Sequence, residues 1–161
     1  MRIKKIVLML SLCLTAVLTA EAQNKAKEGN EIPWSVDRPL TWDDFKGSNA
    51  EANKSQAALV RTRISLDTKV SKDQDSVLVI IEALMVKNRS WKLRTTDSEY
   101  CLKHEQLHFD IAELFARKFR KQVSEMIPDK RTFNEKLSKM MKRIDKELSA
   151  MQNQYDKETN H

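Results

Sequence analysis

The sequence predicts an α+β fold in which a small antiparallel β-sheet packs on a long antiparallel helical hairpin. Between residues 57 and 88, apolar and polar residues tend to alternate with the period of two that is typical of strands. Beyond residue 96, apolar residues recur every three or four positions, as on one face of a helix. Pro128 is the only glycine or proline after Gly47, so two long helices can each run without interruption.

Length and composition exclude several classes of protein. A chain of 161 residues supports one domain with one hydrophobic core. Its 32% charged and 40% hydrophobic residues are typical neither of a disordered chain nor of a polytopic membrane protein. With two glycines, the chain cannot form a Gly-rich phosphate-binding loop, and we do not expect a nucleotide-binding α/β fold.

The first 22 residues have the pattern of a secretory signal peptide. Basic residues precede an apolar run over residues 6–19, and Ala20-Glu21-Ala22 forms an A-x-A cleavage site. The apolar run is shorter than the roughly 20 residues that a transmembrane helix needs. We therefore expect cleavage after Ala22 and a secreted or periplasmic protein that is not bound to the membrane.

Removal of residues 1–22 changes the charge and the cysteine count. The formal net charge falls from +6 to +4, because three basic residues and Glu21 are lost. A modest charge of mixed sign, on an exported protein, argues against a nucleic-acid partner. Cys13 is also lost, so Cys101 has no partner for an intramolecular disulfide.

The chain after the signal peptide begins with an N-terminal extension, residues 23–56, that contains a Trp-rich segment. Trp42 and Phe45 come shortly before Gly47, which favours a packed loop or short helix laid on the core. We expect residues 33–56 to form one domain with residues 57–161.

Two strand patterns follow this segment. Residues 58–67 alternate between apolar and polar side chains, which predicts one half-buried strand. Residues 76–87 are rich in Val, Ile and Leu, which predicts a strand covered on both faces. The turn residues 72–75 between them favour an antiparallel hairpin.

Two helices are predicted in the second half of the chain. Thr96-Asp97-Ser98-Glu99 reads as a capping box, and a helix can run from about Ser98 to Ile127. Thr132-Phe133-Asn134-Glu135 reads as a second capping box, followed by an apolar stripe that extends from Phe133 to Tyr155. The short connection predicts that the two helices pack as an antiparallel hairpin.

Residues 104–108 form an H-E-x-x-H motif within the first predicted helix. Because His104 and His108 are four positions apart, both imidazoles lie on one helical face and can bind the same Zn²⁺. Glu105 points toward the open coordination position, where it can act as the general base that takes a proton from metal-activated water. The motif therefore predicts a zinc site with Glu105 as its catalytic residue.

The third zinc ligand is expected from the C-terminal end, because catalytic zinc usually has three protein ligands. In a hairpin that turns near residue 129, His104 lies opposite Gln154, and residues 156–161 lie within two turns of it. His161 is the expected metal ligand, since imidazole matches the other two ligands. Asp156 is the alternative, because it lies nearer His104 and is less subject to fraying.

Other residues near the motif are expected to have structural roles. Cys101 lies about two turns from the site and is expected to be a small buried core thiol. Asp110 and Glu113 are rotated away from the metal, and Glu113 can pair with Arg117. Tyr155 belongs to the apolar stripe, which favours core packing, although its hydroxyl could donate a hydrogen bond to a developing oxyanion.

Longer stretches of the sequence resemble the bacterial family known as domain of unknown function 922, described as predicted secreted zinc-dependent proteases. The matching stretches are Leu40–Gly47, Ser90-Trp91, His104–Glu113, Ala116-Arg117 and Tyr155-Asp156-x-x-Thr159-x-His161. The resemblance implies a zincin-like metallopeptidase, with the H-E-x-x-H motif on the first long helix.

The sequence thus favours an exported zinc-dependent metallopeptidase that hydrolyses a peptide or protein substrate, one strand of its sheet holding the extended peptide. One alternative is a non-catalytic envelope protein in which any metal is structural, and another is a zinc hydrolase acting on a non-peptide amide. Structural zinc sites are closed by four protein ligands. With three histidines and one cysteine after cleavage, such a closed site is hard to assemble.

Overall fold

The computed structural model describes residues 29–50, 56–72, 76–126, 129 and 131–159. The chain divides into two compact units, residues 1–32 and 33–161, and strand β1 (Glu31–Pro33) spans the boundary in sequence. The expected signal peptide and His161 lie outside the described residues. No helix within the described ranges is both long enough and apolar enough to cross a membrane.

The Trp-containing segment of the second unit packs on the core, as expected, through a short 3-10 helix at Trp42–Asp44. Leu40 and Phe45, which flank this helix, are both buried. The N–H of Gly47 then donates to the Ser90 carbonyl at 2.7 Å. A Cβ atom at Gly47 would lie 2.8 Å from that oxygen, so only glycine permits this approach of two backbones.

The strands form two antiparallel pairs in this unit. Strand β2 (Ala58–Leu59) pairs with β5 (Trp91–Lys92), and β3 (Thr62–Val70) pairs with β4 (Val77–Val86). The β3–β4 pair is the expected hairpin, with Thr62 opposite Met85 and Val70 opposite Val77.

The single strand expected over residues 58–67 is wrong, because the strand is interrupted at Val60 and Arg61. The Val60 N–H donates to the Glu105 carboxylate at 2.6 Å, and the Arg61 N–H donates to the Ser90 hydroxyl at 2.8 Å. These two N–H groups therefore bond to side chains and not to the carbonyls of a neighbouring strand. The chain passes from one antiparallel pair to the other at this point.

The expected covering of β4 on both faces is correct only at its C-terminal end. All four residues of 83–86 are buried, whereas Val77 and Leu78 are 43% and 58% exposed. The apolar run at the start of β4 reflects the strand preference of Val and Leu, not burial.

The first long helix, α1, spans Glu99–Ser124, close to the expected 98–127. Its N-cap is Ser98, whose hydroxyl accepts a hydrogen bond from the Cys101 N–H. The capping box expected to begin at Thr96 is wrong, because the Thr96 hydroxyl donates to the Ala57 carbonyl instead, at 3.1 Å. Thr96 thus fastens the start of the helix to the segment before β2.

The second long helix, α2, spans Phe133–Thr159 and packs antiparallel to α1. Near the connection, Arg143 donates to Gln122 at 2.6 Å, and farther along Gln152 contacts His108. This register is close to the expected one. Within the apolar stripe of α2, the buried residues are Leu137, Ile144 and Leu148.

One face of α1 forms the centre of the hydrophobic core. Its side chains are at most 2% exposed at Phe109, Ala112, Phe115, Ala116 and Phe119. Burial of this face contributes about 1.5–3 kcal/mol for each phenylalanine. The helix that carries the H-E-x-x-H motif is therefore fixed along much of its length.

Candidate metal centre

Three potential ligand atoms converge between the two long helices. The Nε2 atoms of His104 and His108, both on α1, lie 3.0 Å apart. The Oδ1 atom of Asp156, on α2, lies 3.4 Å from the first and 2.7 Å from the second of these nitrogens. His104 is buried, while Asp156 is 41% exposed, so the cluster lies at the edge of the protein interior.

The separations between these atoms fit a small divalent cation. Ligands about 2.0–2.1 Å from a tetrahedral zinc lie roughly 3.3 Å from one another. The distances of 3.0 Å and 3.4 Å found here are close to this value, and the distance of 2.7 Å is shorter. The donor set also fits, since imidazole nitrogen and carboxylate oxygen are both usual zinc ligands. Among the described residues, His104, His108 and Asp156 form the group of three able to hold a metal.

Asp156, which the sequence offered as the alternative third ligand, is therefore the one that the structure places at the cluster. His161, the expected ligand, lies outside the described residues, and its role stays a prediction. Asp156 reaches the cluster because the hairpin register brings it beside the turn of α1 that contains His104 and His108.

Glu105 is buried beside the ligand cluster and is 5% exposed. One of its carboxylate oxygens accepts the N–H of Val60, which fixes the direction of the side chain. Burial raises the pKa of Glu105 to about 7, although the Val60 N–H and the nearby His108 act to lower it. A carboxyl group with a pKa near neutrality is suited to both accepting and releasing a proton.

A cavity of about 380 Å³ opens above these side chains. One wall is the interrupted strand segment 56–62, and the opposite wall comes from α2 between Leu148 and Asp156. His104, Glu105 and His108 line it as well. The cluster therefore borders a space large enough for part of a small molecule or a few residues of an extended chain.

The backbone of the strand segment presents an edge to this cavity. The Ala57 carbonyl and both polar groups of Arg61 form hydrogen bonds on the side of β4 and β5. Because successive residues of an extended chain point their polar groups to opposite sides, Ala58 and Val60 present theirs to the cavity. The bond from the Val60 N–H to Glu105 is consistent with this alternation.

Tyr155 contacts both histidines, so the expectation that it packs in the apolar core is wrong. Its ring stacks on His104 with centroids 4.7 Å apart and meets His108 edge-on at 4.9 Å. Burial, with smaller contributions from Tyr100, Glu105 and Asp156, raises the pKa of Tyr155. The phenol thus stays protonated and keeps its hydroxyl as a hydrogen-bond donor next to the cluster.

The other side of the motif attaches α1 to the Trp-containing segment. Gln106 accepts the Leu40 N–H at 2.7 Å and donates to Asp110 at 2.8 Å. Asp110 also accepts the indole N–H of Trp34 at 2.7 Å. Asp110 is therefore turned away from the ligand cluster, as expected, and has a structural partner.

Glu113 connects α1 to the sheet. It pairs with Arg117, as expected, at 2.8 Å and also with Arg120 at 2.6 Å. Arg120 in turn donates to the Ile81 carbonyl of β4 at 2.7 Å. Cys101 is outside the ligand cluster, as expected, but it is half-buried and not the fully buried thiol that the sequence suggested.

Two residues of the site were missed by sequence reasoning, Val60 and Gln152. Val60 acts through its backbone N–H, so nothing in its side chain could have signalled the role. Gln152 Nε2 donates to the His108 carbonyl at 2.9 Å, and its Oε1 contacts Nδ1 of the same histidine. The hairpin register could have indicated this polar residue, because it places position 152 within a turn of His108.

Comparison with known proteins gives one finding. Residues 22–161 match the model of a family described as "Bacterial protein of unknown function (DUF922)". No curated protein and no solved structure matches the chain.

Proposed function

The chain belongs to DUF922, a family of bacterial proteins of unknown function, so its chemistry must be inferred from the site. We propose that it is an exported zinc-dependent metallopeptidase of zincin-like type. The observation that carries this proposal is the convergence of His104, His108 and Asp156 beside Glu105 at an open cavity. A metal held by three protein ligands keeps a coordination position for water or substrate, whereas a structural zinc is closed by four.

His104, His108 and Asp156 would hold the ion, and their spacing requires little rearrangement. When bound, Zn²⁺ supplies Lewis-acid polarisation of the substrate carbonyl and lowers the pKa of water. Because the three side chains line the cavity, an ion held by them would be accessible to a substrate.

Glu105 would act as the general base. Its carboxylate is buried next to the ligand cluster, and the Val60 N–H holds one oxygen so that the other can face the reacting centre. Glu105 accepts a proton from the attacking water and later returns it to the leaving amine. The protonated Tyr155 hydroxyl is the nearby donor that could stabilise the oxyanion.

An extended peptide would bind along the strand edge that borders the cavity. Ala58 offers its N–H and C=O and Val60 offers its C=O on that edge, which are the groups that pair with an added strand. A peptide aligned there passes directly over the ligand cluster, since both line the same cavity. This favours a peptide over another amide as substrate.

The proposal is tested by digesting a broad peptide library with the zinc-loaded protein and with Glu105→Gln. The amide keeps the size of the side chain and an oxygen for the Val60 N–H, but it cannot accept the proton. We expect one zinc per chain in both proteins, and a loss of at least about 100-fold in hydrolysis for the variant. Cleavage at the wild-type rate by Glu105→Gln would contradict the role of Glu105. Zinc binding without cleavage of any peptide would favour the structural-metal alternative.

A further inference from the structure

The side-chain amide of Gln152 contacts His108 through both its NH₂ group and its oxygen. It lies on α2, one turn before Asp156, and is half-buried beside α1. Its Nε2 donates to the backbone carbonyl of His108 at 2.9 Å. Its Oε1 contacts Nδ1 of the same residue.

The first contact fixes the orientation of the amide. A backbone carbonyl only accepts hydrogen bonds, so the NH₂ group of Gln152 must be the part that faces it. With the amide rotated by 180°, two oxygens would face each other. The amide oxygen therefore faces Nδ1 of His108.

The orientation of the amide in turn fixes the tautomer of His108. An amide oxygen cannot donate, so Nδ1 must carry the proton in the contact between them. When the ring binds a metal as a neutral imidazole, its one N–H is therefore on Nδ1 and its lone pair is on Nε2. Nε2 is the atom that lies 3.0 Å from His104 Nε2 and 2.7 Å from Asp156 Oδ1.

We propose that Gln152 is a positioning residue for the metal, holding His108 in the tautomer whose Nε2 is free to bind the ion. Gln152 itself is not one of the three side chains in the ligand group. The two bonds also fix the rotation of the imidazole, so the ring is aligned before the ion arrives. α2 thus contributes a ligand, Asp156, and one turn earlier the residue that orients a ligand on α1.

This inference rests on the metal centre proposed above. Its first test uses the metal-free protein, so that failure of this inference can be distinguished from failure of the proposed metal centre. Nuclear magnetic resonance of the ¹⁵N-histidine-labelled protein distinguishes protonation at Nδ1 from protonation at Nε2. We expect Nδ1 of His108 to carry a proton in the wild type and to lose it in Gln152→Leu, where Asp156 still faces Nε2. A wild-type His108 without a proton on Nδ1 would overturn the proposal.

The second test is titration with Co²⁺, whose visible absorption reports both affinity and coordination geometry. Gln152→Leu removes both hydrogen bonds and should weaken Co²⁺ binding by about 10- to 100-fold. Gln152→Glu keeps an acceptor for the Nδ1 proton and should stay within a few-fold of wild type. Gln154→Leu is the matched control, because Gln154 is exposed on the same helix and donates to Glu158.

The two variants separate positioning from general stability. Wild-type Co²⁺ affinity in Gln152→Leu would overturn the proposal. Equal losses of Co²⁺ affinity in Gln152→Leu and Gln152→Glu would also overturn it, because both variants lose the bond to the His108 carbonyl and only the first loses the acceptor for Nδ1. If Gln152→Leu does not fold, the wild-type tautomer and Gln152→Glu still decide the question. If the wild type binds no Co²⁺, the metal centre itself is wrong, whatever the tautomer of His108.

Discussion

At the scale of single residues, the identity of the third ligand is the point that the sequence left open. His104 and His108 follow from their spacing alone, because four residues make about one helical turn. The proposed third ligand lies on a different helix, and its position depends on a register that the sequence defines only to within a few residues. The structure brings Asp156 to the two histidines.

Loss of a residue that supports a metal ligand weakens metal binding by roughly 10- to 100-fold. Asp156→Asn removes a proposed ligand itself and should therefore weaken zinc binding by more than this. The neutral amide is a poor zinc ligand of the same size. Asp145→Asn, on the same helix and outside the ligand group, should bind zinc like the wild type. Competition with a coloured chelator measures each affinity. Full binding by Asp156→Asn, with a loss in His161→Ala, would establish His161 as the third ligand.

Asp44 gives a residue-scale prediction about pH. Burial alone would raise its pKa, but hydrogen bonds from Arg38 and from the Thr41 N–H, with the charge of Arg38, hold the pKa below the usual 3.8. A lowered pKa contributes stability that is present above the unfolded-state value and is lost as pH falls through the folded-state value. Asp44→Asn should cost about 2 kcal/mol at pH 7.

The difference between Asp44→Asn and the wild type should begin to shrink below about pH 4, where the carboxyl of the unfolded chain takes up a proton, and should go on shrinking until the pH falls below the lowered pKa of the folded carboxyl. Urea unfolding at several pH values measures it. Asp43→Asn, at the exposed neighbouring position, should remain within about 0.5 kcal/mol of wild type. A difference for Asp44→Asn that stays constant from pH 7 to pH 3 would contradict the role of its charge.

At the scale of elements, local signals predicted the helices well and the strands less well. The helices are long, their apolar period is clear and they lack internal Gly or Pro, so the starts of both helices and the end of α1 were placed within about three residues. The interruption at Val60 and Arg61 could not be predicted, because the N–H groups there bond to the side chains of Glu105 and Ser90, which are distant in sequence. Backbone groups that bond to remote side chains leave no local pattern.

The packing of one element against another also explains why a glycine ends the Trp-containing segment. The Gly47 backbone lies against the carbonyls of Asn88 and Ser90, where a Cβ would approach to 2.9 Å and 2.8 Å. Gly47→Ala should therefore destabilise the protein by about 1–3 kcal/mol, because backbone must move to relieve the contact. Gly29→Ala is the control, since no atom of the described residues lies within 4 Å of its added methyl. Equal melting temperatures for the two variants would show that the close approach is absent in solution.

At the scale of the whole molecule, the proposed site is a product of three separate parts of the chain. α1 carries His104, Glu105 and His108, α2 carries Gln152 and Asp156, and the segment 56–62 provides the edge and the Val60 N–H. The sequence indicated all three of these residues on α1. For α2 it offered Asp156 as an alternative to His161 and did not indicate Gln152. The strand edge beside Glu105 emerges only when the chain is folded, because the contact joins residues 45 positions apart.

The central claim is that two imidazoles and one carboxylate hold a zinc ion whose remaining side is open for catalysis. X-ray absorption at the zinc edge of the zinc-loaded protein tests this most directly, since it counts nitrogen, oxygen and sulfur neighbours. We predict two imidazole ligands at about 2.0–2.1 Å, with oxygen ligands from Asp156 and water and no sulfur. A sulfur neighbour at about 2.3 Å, or four protein ligands, would contradict the claim.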